Sequence, residues 1–193
     1  MPHIQVSNEL NGIRSLLAYK PATGTKIAQL IHEMLRGSSP LSAADRERIA
    51  AHVSQLNECE FCARSHGAAI RHLDAVTAAG VTSGGVDGGT TQQPPLEAVD
   101  AAPEPKLKAL LALAEAVARG GQYVTDDLVA SARSAGAGDE DIHDTVLIAA
   151  AFSMLNRYVD GLDAVTPSED AAYDAMGRQM AAHGYLRAAP TVE

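Results

Sequence analysis

The sequence predicts an all-α fold, and three observations carry that prediction. Hydrophobic residues make up 46% of the chain while aromatics make up 4% and Trp is absent, a composition rich in Ala, Leu and Val that suits close helix packing better than a sheet. Apolar residues recur at helical spacing along most of the chain. The interruptions fall on Gly, Pro, Ser, Thr and Asp, the residues that stop and cap helices. A length of 193 residues fits one domain with its own core, so a single domain over 1–193 is expected.

Taken in order, the segment from Thr25 to Arg36 places Ile27, Leu30, Ile31 and Met34 on one face, and Gly37 to Pro40 end it. Ser42 is set to cap the next helix, in which Ile49, Val53 and Leu56 form an apolar stripe that ends near Asn57. A third helix starts at the cysteines, carries Ala69, Ile70, Leu73 and Val76, and stops at Gly80. Residues 81–105 turn to Gly, Thr, Gln and Pro without periodic apolar positions and are expected to be a flexible loop or insert. Helical periodicity returns at Lys106 with Leu107, Leu110, Leu111, Ala114 and Val117, and Gly120 and Gly121 close it. Thr125, Asp139 and Ser168 are candidate caps for helices running through Ala135, to about Tyr158, and to His183. The expected total is about seven or eight helices.

The formal charge of −9 disfavours nucleic acid and anionic membranes as partners, since both repel an acidic surface. No apolar run reaches the roughly 20 residues of a spanning helix, and the N-terminus lacks the basic then apolar order of a signal peptide. A cytoplasmic location is therefore expected. Both cysteines of the chain fall within four residues, which excludes a spread disulfide framework and points to local chemistry.

Cys59-Glu60-Phe61-Cys62 brings two thiols within reach of a small disulfide ring, at a helix start whose free N–H groups favour a thiolate. His66 follows Cys62 by one turn on the same face, where imidazole could take the thiol proton. Two other readings stand beside this one. The cysteines could be inert small apolar residues with His66 on the surface. Alternatively, Cys59, Cys62 and His66 could bind zinc with His52 or His72 as a fourth ligand, although the spacing fits neither common zinc pattern and no second Cys pair exists. Redox chemistry is preferred because C-x-x-C in a cytosolic chain is more often redox-active or metal-binding than decorative.

The stretch LSAADRERIAAHVSQLNECEFCARSHG, with a glutamate twelve residues before C-x-x-C and a histidine four after it, resembles the signature of the AhpD-like, or carboxymuconolactone decarboxylase-like, superfamily. Glu47, Cys59, Cys62 and His66 match position by position, and the later stretch from Leu107 to Leu162, including Asn156-Arg157, is similar to the family's second half. The resemblance implies an AhpD-like helical bundle, a homo-oligomer and an alkyl hydroperoxide reductase without a bound cofactor or metal. In peroxidatic members the second cysteine attacks the peroxide and the first resolves the sulfenic acid, so the resemblance gives Cys62 the attack and Cys59 the resolution. Glu47 and His66 would form the proton relay, and an external dithiol or adaptor protein would recycle the disulfide.

Phe61 stands where the best-known members carry a further histidine, which is similar to a less characterised peroxidase-related branch. A zinc-binding or redox-sensing regulatory protein is the alternative from another class. A decarboxylase-like enzyme on the same fold ranks last, because that branch does not depend on a dithiol.

Periodicity alone makes Glu47 a solvated glutamate, nearly opposite the Ile49, Val53 and Leu56 stripe, within a charged run Asp45 to Arg48 that reads as a solvated face. Only the resemblance assigns it a catalytic role. Glu58 and Glu60 read as exposed charges and His52 as a packing histidine at the stripe's edge. His32, His72, His143 and His183 have no partner that the sequence names, and Asn156-Arg157 reads as a helix-end polar pair or an interface contact.

Overall fold

A computed structural model describes residues 1–7, 9–79 and 104–186. These residues form eight α-helices: α1 (Ile13–Tyr19), α2 (Pro21–Arg36), α3 (Ala43–Leu56), α4 (Glu60–Ala78), α5 (Pro105–Arg119), α6 (Asp126–Ser134), α7 (Asp139–Gly161) and α8 (Asp170–His183). One 3₁₀ turn, Gly121–Tyr123, joins α5 to α6, and no strand occurs among the described residues. The expected all-α class is the one observed. No helix is long and apolar enough to cross a membrane among the described residues.

Several helix starts follow local chemistry. Ser42 accepts a hydrogen bond from the Asp45 backbone N–H at 3.0 Å and Thr125 one from Leu128 at 3.4 Å, as their sequence positions predict. Asp139 is instead the first residue of α7: Gly138 is the cap, and its N–H is held by the Asp141 carboxylate at 2.8 Å. Ser168 likewise lies outside α8, whose cap is Glu169. Pro21 and Pro105 open α2 and α5 because a first-turn residue needs no amide donor. Thus α2 starts six residues before Ile27, the first position of the periodic stripe that reveals it. Helix α1 was not expected, since seven residues are too few to establish a period. Residues 81–103 of the expected loop lie outside the described residues, and Pro105 already belongs to α5.

The main core lies among α2, α3, α5 and α7, where Leu35, Ile49, Val53, Leu110, Leu113 and Ile148 lose all or nearly all contact with solvent. Leu30, Leu56 and Val76 are exposed, so their apolar stripes are narrower than periodicity predicts. A smaller apolar cluster joins Leu16, Cys59, Phe61, Cys62, Val159 and Tyr173, packing the start of α4 against α1, α7 and α8. The candidate site sits where the two clusters meet.

Helix α4 packs along α3 on one side and α8 on the other. The α8 crossing is close because Gly177 has no side chain: a Cβ there would lie 2.5 Å from the Ala68 carbonyl carbon and 2.7 Å from the Ala69 nitrogen. Backbone atoms cannot swing aside as a side chain can. Gly177→Ala is therefore expected to lower stability by about 1–3 kcal/mol, read as a reduced urea midpoint at unchanged slope.

Candidate active site

The turn from α3 into α4 sets the cysteines. Glu58 takes a left-handed conformation, φ 59°, and the Cys59 N–H donates back to the Ser54 carbonyl at 3.0 Å. Asn156 of α7, fully buried, braces this turn by donating to Ser54 Oγ at 3.0 Å and accepting from Asn57 Nδ2 at 2.9 Å. It is neither a helix-end nor a surface residue, whereas its neighbour Arg157 is exposed and bonds its own helix. Burial requires such polar groups to be paired, and here the pairing fixes the entry into α4.

Cys59 is the N-cap residue of α4 and Cys62 lies in its first turn, near backbone N–H groups without intrahelical partners. Their sulfurs are 2.6 Å apart, with the Cys59 thiol donating to Cys62 Sγ. That contact with Cys62 and burial push the Cys59 thiol well above its ordinary range, so Cys59 keeps its proton. Cys59 has no solvent contact, while Cys62 retains 6% exposure and lines a chamber of about 660 Å³. The two thiols are thus unequal in access and in hydrogen-bond role.

His66 reaches the same chamber one turn on and packs edge-on against Phe152 at 4.7 Å between ring centres. Its Nδ1 lies 2.6 Å from Glu47 Oε2. Glu47 is completely buried, which corrects the solvated reading that periodicity gives. Its other oxygen accepts the Tyr185 hydroxyl at 2.7 Å and pairs with Arg36 at 2.6 Å. Burial acts to raise the Glu47 pKa, but His66, Arg36 and Tyr185 together outweigh it and hold the carboxyl below its ordinary value. An ionised Glu47 accepts a hydrogen bond from His66 Nδ1–H and so orients the ring, leaving Nε2 to the other side.

The charged run before Glu47 is buried for a similar reason. Arg46 is 5% exposed and donates to the carbonyls of Met34 and Gly37, closing the C-terminal end of α2. Burial first, and then Arg36, lower its pKa. Asp45 and Arg48 are half-buried, and Arg48 also pairs with Asp74 at 2.6 Å. Helix α3 is therefore covered on its charged side by α2 and α4, which a stripe of apolar residues cannot reveal.

Two members of the network carry no pattern in the sequence. Arg36 reads as an ordinary helix-end cation, yet it also donates to the Met180 carbonyl at 2.9 Å and ties α2 to α8. Tyr185 follows α8 with no neighbouring motif; its backbone N–H is held by His32 at 3.2 Å, and its ring lies 5.3 Å from the Arg36 guanidinium. Burial and then the Glu47 charge keep its phenol protonated. His72 and His143, unpartnered in the sequence, bond Asp174 and Asp144 at 2.9 Å each. His52 is half-buried, and Glu58 and Glu60 are exposed as expected. Phe61 packs on Gly12 and Tyr173 and brings no titratable group to the chamber.

The zinc ligand set does not assemble. His66 Nδ1 faces Glu47 and His72 faces Asp174 on α8, and no cluster of three His, Cys, Asp or Glu suited to a metal occurs among the described residues.

Residues 21–83, which include Arg36, Glu47, both cysteines and His66, match the carboxymuconolactone decarboxylase family. No curated protein matches the sequence. The fold is similar to a crystal structure described as the alkylhydroperoxidase AhpD core of an uncharacterised peroxidase-related protein from Ralstonia eutropha JMP134, with a TM-score of 0.67, 22% identity, and coverage of 88% of this chain and 82% of that one. It is also similar to an uncharacterised peroxidase-related protein from Silicibacter sp. TM1040, with a TM-score of 0.63, 24% identity, and coverage of 86% and 80%. One segment of the chain thus matches the carboxymuconolactone decarboxylase family, and its helical fold is similar to that of the AhpD-core structures.

Proposed function

We propose that this protein is a thiol-dependent peroxidase that reduces organic hydroperoxides through a Cys59/Cys62 dithiol–disulfide cycle. The observation that carries the reading is the asymmetry of the pair. Cys62 opens on the chamber beside His66, and Cys59 lies behind it with its S–H directed at the Cys62 sulfur. Cys62 is therefore the thiol that a peroxide in the chamber would meet, with Cys59 placed to resolve it.

In the first step His66 Nε2 accepts the Cys62 proton, and Glu47 stabilises the resulting imidazolium through Nδ1. The Cys62 thiolate attacks the terminal peroxide oxygen; the O–O bond breaks, sulfur is oxidised to sulfenic acid, and the leaving alkoxide takes the proton from His66 to become an alcohol. In the second step the Cys59 sulfur attacks the sulfenic sulfur, an S–S bond forms, and the hydroxyl leaves as water with the Cys59 proton. An external dithiol or adaptor protein then returns two electrons and two protons. A symmetric homo-oligomer and a cytoplasmic setting accompany the proposal.

The test is a free-thiol count by mass spectrometry before and after one equivalent of cumene hydroperoxide. Loss of both thiols with loss of two hydrogens from the intact mass is expected. Two thiols that persist, or that a bound metal shields, would overturn the reading.

A further inference from the structure

The chamber beside Cys62 has walls that discriminate among possible ligands. Its volume of about 660 Å³ falls within the range of about 300–1,000 Å³ usual for small-molecule sites. At the inner end lie Cys62, Ser65 and His66, all nearly buried. Ile13 and Leu17 of α1 and Met176 and Met180 of α8, all half-buried, also line it. Aliphatic and thioether groups of this kind adapt to an apolar chain.

The charges on the lining are unlike those of the chain as a whole. The sequence holds 24 Asp and Glu against 15 Lys and Arg, yet no carboxylate lines the chamber among the described residues. Its one permanently charged side chain is Arg14, which is exposed and makes no ion pair among the described residues. Arg14 shares the exposed rim of the chamber with Thr25, Gln29, Gln179 and Leu186 and is, among the described residues, the one permanent cation there, while the thiol of Cys62 lies at the buried end.

We propose that the chamber binds a carboxylate-bearing aliphatic amphiphile, with the carboxylate at Arg14 and the chain running inward past Met176 towards Cys62. Taken with the peroxidase reading, on which the identity of the reacting group rests, the substrate class becomes a fatty-acid hydroperoxide. Binding of the amphiphile itself requires no thiol chemistry. Charge at the mouth orients the ligand and apolar surface supplies most of the attraction, so head-group selectivity should weaken with salt while chain binding persists.

Isothermal titration of the full chain with decanoate and, separately, 1-decanol tests this. Saturable binding is expected for both, with decanoate tighter by about five-fold, the size of an exposed charge-assisted contact. Arg14→Gln should remove the difference and leave 1-decanol unchanged, while Ala28→Phe, which fills the chamber, should weaken both. Equal affinity of the two ligands in the wild type, a preference that survives Arg14→Gln, or no saturable binding would each overturn the proposal. A decanoate preference in a protein whose thiols ignore hydroperoxide would sink the peroxidase reading while leaving this one standing.

Discussion

Glu47→Gln is expected to fold and yet to lose about 10²–10⁴-fold in the rate of hydroperoxide-driven thiol oxidation. The carboxylate is completely buried and takes the His66 Nδ1 proton at 2.6 Å. An amide in its place can present N–H to Nδ1, in which case the ring proton moves to Nε2 and the free lone pair turns away from the chamber. The imidazolium of the first step also loses its counter-charge. Stopped-flow measurement of Cys62 oxidation reads this directly, and a rate within a few-fold of wild type would remove Glu47 from the relay. Glu47→Ala is a different perturbation. It strands Arg36, whose side chain is 12% exposed, without its carboxylate. A stability loss of about 3–5 kcal/mol is expected.

Arg36→Met should cost a comparable amount and also weaken the pH dependence of stability. In the wild type the folded Glu47 pKa lies below its unfolded value, because His66, Arg36 and Tyr185 outweigh the opposing effect of burial. Such a group contributes stability that is complete above the ordinary glutamate range, about 4.3, and that is lost as pH falls through the lower folded value. Without Arg36 the buried carboxylate keeps His66 and Tyr185 but loses one of the charges that hold its pKa down. The loss of stability as pH falls through the acid range should then be smaller than in the wild type. Urea midpoints across that range distinguish the two slopes. Adding Glu47→Gln to Arg36→Met should recover part of the loss, because the two residues form one charge pair.

The parts of the structure legible in the sequence are those with a repeating or local signal. Ile49 and Val53 announce the buried face of α3, and Ser42 announces its start, because period and capping are short-range properties. Cys59, Cys62 and His66 are legible as a group because one helix brings them together. Glu47 is legible only through resemblance. Its burial comes from α2 and α4 covering the charged side of α3, a tertiary fact that periodicity within α3 does not contain. Arg36 and Tyr185 were invisible for the same reason, since their positions are 149 residues apart and meet only at the Glu47 carboxylate. Asn156 combines both cases: the family-like Asn-Arg pair draws notice, but the bridge to Ser54 and Asn57 exists only in the fold.

The central claim is that Cys62 is the nucleophile and Cys59 the resolving thiol. Its most direct test is to expose the Cys59→Ser and Cys62→Ser variants to one equivalent of cumene hydroperoxide with a dimedone-type trap, and to locate the adduct by peptide mass spectrometry. The expected result is a sulfenic adduct on Cys62 in the first variant and no adduct on Cys59 in the second, because Cys59 is sealed from the chamber and holds its proton. An adduct on Cys59 in the second variant, or none on Cys62 in the first, would contradict the assignment.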